Sequence, residues 1–283
     1  MLNSTPGMIE ELQPATGTLA PVTETLAPVT GRGRFRRTAV DGHGKVSVII
    51  PAKNEAENIG WVLDRLPSRS DEIIVVDGCS TDETVHAARA MRPDVRILAE
   101  QQPGKGAALR TGFAAATGDL IVMLDADGSM DPAEITRYIE LLERGCDVVK
   151  GSRFVVGGGT ADMTLVRRSG NRALLGLVNA LYGSSLTDLC YGFFGFRREA
   201  LEALTLRSVG FEIETEMTVR TLRARLTIAE VPSYESPRRH GESNLNAWRD
   251  GRRVLRTVLS DRFQRPAPRA VDMVKTCLPA DRF

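Results

Sequence analysis

The chain has 283 residues, 42% of them hydrophobic and 26% charged, with a formal net charge of +1 at pH 7. That length is ample for a real core, in one large domain or two small ones, and so balanced a charge gives no bulk electrostatic reason to expect a nucleic-acid partner. Four scattered cysteines, Cys79, Cys146, Cys190 and Cys277, include no close pair at metal-ligand spacing, which predicts free thiols in a reducing cytoplasm and not a disulfide framework.

Residues 1–44 read as a disordered tail rich in Thr, Pro, Gly and Ala, with the duplication "TLAPVTE" and "TLAPVTG" followed by the basic cluster "GRGRFRR". A solvated linker and a contact with an anionic membrane are both open to that cluster. No signal-peptide order is present there, and no segment of the chain reaches the ~18 uninterrupted apolar residues that span a bilayer. Membrane contact is therefore expected to be peripheral, at the inner face, or through a partner.

From Lys45 onward, "VSVII" (46–50), "EIIVVD" (72–77), "VRILAE" (95–100), "DLIVML" (119–124) and "DVVKG" (147–151) are short β-branched runs suited to strands buried on both faces. Helical patterns alternate with them: "EAENIGWVLDRL", "TDETVHAARAM", "GKGAALRTGFAAATG" and "DPAEITRYIELLERG". The last is signposted by Asp131 as N-cap, Pro132 at the first helical position, Glu134 in a capping-box-like place and Gly145 at the end. Strict alternation predicts an α/β layer fold with a mainly parallel sheet flanked by helices, and such sheets bind ligands at the carboxyl ends of their strands. Those ends carry "PAKNEAEN", "DGCSTDET" and "DADGSMDP". Residues 152–263 are less regular: "RRSGNRALLGLVNALYG" and "NAWRDGRRVLRTVLSDRF" have the pattern of basic amphipathic helices, whereas "YGFFGFRREAL" and "LTIAEVPSYES" read as strands with turns. Residues 264–283 hold three prolines and read as a C-terminal tail.

Asp125 and Asp127 close a buried run, where an unpartnered carboxylate is costly. Side chains two apart on an extended segment share a side, so the pair can converge on one point and offer a hard-cation site for Mg²⁺ or Mn²⁺ shared with phosphate oxygens. The same spacing also arises in a solvated turn.

The stretches "VSVIIPAKNEAENI", "IIVVDGCSTDET", "QQPGKGAALRTG", "LDADGSMDP", "VKGSRF", "TDLCYGFFGFRREAL" and "RRHGESNLNAWRDG" occur in this order. Together they resemble a family 2 glycosyltransferase of the GT-A fold, and within it the dolichol-phosphate and other polyprenyl-phosphate mannosyl- and glucosyltransferases. The resemblance implies one domain over 45–263, with a nucleotide-sugar half at 45–151 and an acceptor half at 152–263. Pro51, Ala52, Asn54 and Glu55 match the segment along the nucleoside, with Glu55 on the ribose hydroxyls; Asp77 matches the acceptor from the base. Lys105 matches a loop near the nucleotide, where it would offset phosphate charge, and Ala126 lies between the two aspartates on the donor. Asp125 and Asp127 would hold the divalent cation, with His240 as a candidate further ligand. Relatives tend to carry a glutamine two residues after the second aspartate, where this chain has Ser129. Ser80 and Thr81 are expected to cap the following helix.

A phosphate acceptor is already an anion near neutral pH, so it needs cationic positioning groups more than a general base. Arg153 and the group Arg167, Arg168, Ser169 and Arg172 supply candidates, since arginine forks suit phosphate oxygens; solvated helix faces are the other reading. Asp127, Asp188 and Arg153 are the catalytic candidates, Asp188 either as a base or as a positioning group. Glu212, Glu214 and Glu216 fit one face of an extended segment or a helix start near the floor of the site. The helix at about 244–263 sets Trp248, Leu255, Val258 and Leu259 against Arg249, Arg252, Arg253 and Arg256, a pattern that lies on an anionic bilayer or packs on its own domain. The expected reaction is inverting transfer of a hexose from a nucleoside diphosphate sugar of the UDP-glucose or GDP-mannose type to a polyprenyl phosphate, with a soluble acceptor such as a phosphoglycerate as the alternative. A nucleotidyltransferase would carry a Gly-rich basic signature after the first strand, where this chain is acidic. A binding module would tolerate loss of Asp125 and Asp127. The sugar, the base and the oligomeric state are not legible.

Overall fold

A computed structural model describes residues 43–161, 163–242 and 247–263; the expected tails at 1–44 and 264–283 fall almost wholly outside these. The five apolar runs become β1 (Val46–Ala52), β2 (Glu72–Asp77), β3 (Arg96–Ala99), β4 (Leu120–Met123) and β5 (Val148–Ser152). They are apolar at consecutive positions because both faces of the sheet are covered. Val46, Val48 and Ile50 of β1 enter one core, while Ile49 enters the other.

Helices α1 (Ala56–Asp64), α2 (Thr84–Met91) and α4 (Ile135–Glu143) close the first core; α3 (Lys105–Ala115) and α5 (Leu165–Tyr182) contribute to the second, with α6 (Arg198–Ala203), α7 (Ile213–Arg223) and α8 (Ala247–Phe263). The sheet has seven strands in the order β3-β2-β1-β4-β7-β5-β8, where β7 is Phe194–Arg197 and β8 is Ile228–Pro232. All neighbours are parallel except β7, which runs antiparallel to both β4 and β5. A short pair, β6 (Gly159–Thr160) and β9 (Tyr234–Glu235), lies apart. Because β7 inserts between β4 and β5, the two halves expected from the sequence share one sheet.

Three local readings change. The helix over 131–145 opens with a 3-10 turn at Pro132–Glu134. Asp131 caps it, accepting from the Ala133 amide at 3.0 Å, but Glu134 forms no capping box. Its carboxylate instead accepts from the Ser233 hydroxyl at 2.5 Å, across the sheet edge. "YGFFGFRREAL" holds a strand followed directly by α6, because Arg198 starts a helix where a turn was expected.

The strand order reverses direction between β1 and β4, which makes the gap beyond their carboxyl ends the switch point where ligands bind in open α/β sheets. The loops after β1 and β4, bearing Asn54 and Glu55 on one side and Asp125 and Asp127 on the other, flank that gap.

Candidate active site

The wall after β1 and β2 is built by mutual capping. Asn54 adopts φ +56°, a left-handed conformation that Asn tolerates. Its amide donates to Ser80 Oγ at 2.9 Å, and its Oδ1 accepts from the Thr81 amide at 2.8 Å. The first free amides of α1 are satisfied by the neighbouring loop: Glu55 N donates to Thr84 Oγ1 at 2.8 Å and Ala56 N to Asp82 Oδ2 at 3.1 Å. Asp82 also takes the Thr84 amide. Neither Ser80 nor Thr81 caps α2, whose N-cap position is Glu83; the first helical amide goes to Asp82. The Ala52 carbonyl accepts from Gly78 N at 2.9 Å, beside half-buried Pro51, and Asp77 accepts from the Ser80 amide at 3.3 Å. Pro51, Ala52, Asn54, Glu55 and Asp77 thus gather along one side of the crevice.

On the floor, Lys105 is the first residue of α3. Gly104 before it has φ +124°, and a side chain there would collide with the Val209 carbonyl. This close docking buries Lys105, whose Nζ lies 2.5 Å from Asp125 Oδ1 and 2.6 Å from Glu214 Oε1. Lys105 is thus the cation that meets Asp125, the half-buried carboxylate that follows β4. Asp127 turns its Oδ1 to the Ser129 amide at 3.0 Å and faces Arg238 at 3.4 Å. Arg238 also lies 2.5 Å from Glu55, whose other oxygen accepts from Asn58 at 2.7 Å. Ala126 packs its methyl into the core at 2% exposure, which leaves only its main chain to meet a ligand.

Four carboxylates, Glu55, Asp125, Asp127 and Glu214, therefore share two cations, Lys105 and Arg238. The imbalance is visible in their acidities. Burial, with the charges of Asp127 and Glu214, pushes the Asp125 carboxyl up to about 7 in spite of Lys105. Burial likewise raises Glu55 against the opposing pull of Arg238 and Asn58, and Asp127 adds to the rise. Against the downward pull of burial, Asp125 and Glu214 hold Lys105 protonated well above the usual lysine range. An anionic, oxygen-rich crevice of this kind fits a hard divalent cation.

The expected trio of Asp125, Asp127 and His240 is not assembled: among the described residues, no group of three or more His, Cys, Asp and Glu side chains is placed to hold a metal. The His240 ring is exposed. Its carbonyl instead accepts from Asn58 at 3.1 Å and from Arg238 at 2.7 Å, fixing the loop beside Glu55.

The half expected to serve the acceptor is braced by a second ionic network. Arg153, 4% exposed, donates to Asp188 through Nε at 2.7 Å and Nη2 at 3.0 Å, to Glu235 at 3.0 Å, and to the Cys190 carbonyl at 2.9 Å. Asp188 is wholly buried and also accepts from Asn171 at 3.2 Å. Burial would raise its pKa, but Arg153 and Lys150 bring it below the usual carboxylate range. The arginine fork and the carboxylate are thus both taken up by contacts within the chain. Arg167, Arg168 and Ser169, in contrast, lie within the first five residues of α5, which Thr164 caps. Arg168 and Ser169 are exposed there, and Arg168 lies 5.7 Å over the Phe154 ring.

Of the three glutamates near 212–216, only Glu214 reaches the floor. Helical geometry fans residues two apart around the axis, so Glu216 takes the Arg207 and Ser208 amides and Glu212 the Gly210 amide. Arg238, Gly192, Glu230, Glu235 and Lys150 escaped the sequence reading. Lys150 carried a signal, as a lone charge within a buried strand run. It is wholly buried, donates to the carbonyls of Gly151 and Tyr191 at 3.3 Å each, and burial lowers its pKa against the pull of Asp188 and Glu230.

Comparison with known proteins places this geometry in context. Residues 47–205 match the family model described as glycosyl transferase family 2. The dolichol-phosphate mannosyltransferase of Pyrococcus furiosus is 33% identical over 210 residues, 71% of this chain and 59% of that protein, so the match spans little more than half the length of that relative. The undecaprenyl-phosphate mannosyltransferase of Micrococcus luteus is 32% identical over 75% of this chain and 91% of its own. Among solved structures, glucosyl-3-phosphoglycerate synthase from Mycobacterium tuberculosis, in complex with Mn²⁺, UDP and glucosyl-3-phosphoglycerate, superimposes with a TM-score of 0.64 at 27% identity, covering 83% of this chain and 87% of that one.

Proposed function

The chain belongs to glycosyltransferase family 2, and from that premise we propose that it transfers a hexose from a nucleoside diphosphate sugar to a polyprenyl phosphate at the inner face of a membrane. The observation that carries the donor assignment is the crevice at the β1/β4 switch point, where four carboxylates outnumber their cations. Glu55 is placed to accept from the ribose hydroxyls once Arg238 is displaced, and Asp77 to accept from an N–H of the base. Asp125 and Asp127 would hold Mg²⁺ or Mn²⁺. When bound, such a cation neutralises charge that develops on the departing diphosphate. Lys105, fixed by Asp125 and Glu214, adds a permanent positive charge to the same floor.

In the reaction, an acceptor phosphate oxygen bonds to the anomeric carbon as the bond from that carbon to the diphosphate oxygen breaks. One in-line displacement of this kind inverts the configuration. The sealed position of Asp188 supports an acceptor that needs no base, because a phosphate arrives as an anion. Arg167 and Arg168 stand at a helix N-terminus, where amides and guanidinium groups both favour phosphate. Leu165 and Val166 are 81% and 62% exposed in that turn, which supports an acceptor with an apolar tail. The likeness to glucosyl-3-phosphoglycerate synthase favours a second reading, in which the same donor chemistry serves a soluble phosphorylated acceptor.

The deciding experiment incubates the protein with Mn²⁺ or Mg²⁺, polyprenyl phosphate in detergent, and labelled UDP-glucose or GDP-mannose, with Asp127→Ala as control. Label in the organic phase that the control lacks is the expected result. Metal-dependent release of nucleoside diphosphate only with phosphoglycerate present would move the assignment to the soluble acceptor.

A further inference from the structure

Helix α8 has two apolar faces. The inward face carries Val254 and Val258, buried in the second core, and the Tyr182 hydroxyl donates to the Val258 carbonyl at 3.2 Å. Val258, expected to share a stripe with Trp248, thus turns away from it. The outward face carries Trp248 at 81% exposure, Leu255 at 39%, Leu259 at 40% and Phe263 at 82%. Their spacings of seven, four and four residues keep them on one line of a helix with 3.6 residues per turn. Leu255, Leu259 and Phe263, with Arg252 and Arg256, line an open groove of about 540 Å³.

The charges on this helix are sorted by face. Its two acids are buried: Asp261 pairs with Arg220 at 3.1 Å and Arg223 at 2.8 Å, and Asp250 lies 3.4 Å from Arg249 and 3.7 Å from Arg253. Arg252 and Arg256 are exposed and pair with no carboxylate among the described residues. An apolar line edged by unopposed arginines complements a surface that is anionic outside and apolar a few ångströms deeper. The apolar side chains pass the headgroups, the guanidinium groups remain with the lipid phosphates, and an indole sits at the boundary. We infer that the outward face of α8 is a docking surface for an anionic phospholipid bilayer.

This surface is independent of the acceptor assignment, and its test uses no acceptor and no donor. The full chain is mixed with phosphatidylcholine vesicles, with or without phosphatidylglycerol, and sedimented. Co-sedimentation only with the anionic lipid, weakened by added salt, is expected. The chain has two tryptophans, Trp61 and Trp248, so brominated lipid should quench fluorescence in the native chain and not in Trp248→Phe. The double variant Leu255→Ser/Leu259→Ser should bind about tenfold more weakly or worse, and Arg252→Glu/Arg256→Glu should lose the preference for anionic lipid. Both variants alter exposed positions, and an unchanged melting temperature would show that they fold. Equal binding to neutral vesicles, no binding to either, or quenching that survives in Trp248→Phe would each overturn the inference. A dimer in light scattering that Leu255→Ser/Leu259→Ser converts to monomer would assign the face to a second copy of this chain and overturn it as well.

Discussion

A methyl group at position 192 would sit 2.7 Å from both Glu214 Oε1 and Lys105 Nζ, and 3.1 Å from Asp125 Oδ2. Gly192 is thus the only residue type that leaves the ionic floor undisturbed. Gly192→Ala is expected to lower kcat by about 100-fold, the scale of a misplacement near 1 Å, while the protein stays folded; near-native turnover would show that the floor is not part of the reacting site. Glu134 offers a second test by titration. Burial pushes its carboxyl up to about 7, against the opposing pull of the Ser233 hydroxyl. Its folded-state pKa is therefore above the unfolded value of about 4.5, and the folded chain binds the extra proton. Stability contributed by that proton is fully present below pH 4.5 and is lost as pH rises through 7. Glu134→Gln removes the titration, so its melting temperature should exceed that of the native chain at pH 8 by the equivalent of ~1–3 kcal/mol. The gap should close at pH 5. A gap that stays constant with pH would mean that Glu134 is not the titrating group.

At the level of elements, the strand runs and the helices between them were legible because burial on both sheet faces leaves few polar residues in a strand, and because an amphipathic helix repeats its apolar face. What the sequence did not disclose is which charges meet. Arg153 and Asp188 lie 35 positions apart, and nothing local tells a phosphate-binding arginine from one that ties β5 to the segment before β7. Lys105 is a similar case: its place where a Gly-rich loop meets a helix was readable, but its burial depends on Gly104 meeting Val209, which is far away in the chain. The tie through Arg153 makes a specific demand. Asp188→Asn leaves the Arg153 guanidinium buried without its strongest counter-charge, and breaking a buried pair from one side costs about 3–5 kcal/mol. Chemical denaturation should show a loss of that size. Arg153→Met/Asp188→Leu should recover part of it, because the double change removes both charges. If Asp188→Asn instead kept native stability and lost only turnover, Asp188 would be a reacting group and not a positioning one.

Across the whole molecule, the insertion of β7 between β4 and β5 makes residues 45–151 and 152–263, the two halves proposed for donor and acceptor, share one hydrogen-bonded sheet. Energy added at the proposed donor crevice must then be felt by both halves as a single unfolding transition. UDP with Mn²⁺ at about 100 times its dissociation constant would add ~2.7 kcal/mol of stability, which for a domain of this size moves the melting temperature by about 5–10 °C. One transition should shift as a unit; two transitions with only the earlier or later one moved would mean that the halves unfold separately. The same measurement reads the charge state of the crevice. With Asp125 raised to about 7, a proton competes with the cation below neutrality, so the Mn²⁺-dependent part of the shift should grow from pH 6 to pH 8. The apparent Mn²⁺ affinity should fall by up to about tenfold per pH unit on the acid side. Asp125→Asn removes both the ligand and the titration, and should leave a small shift from UDP that is flat in pH. A Mn²⁺ effect in Asp125→Asn with the native pH profile would place the cation elsewhere and detach the carboxylate crevice from the donor.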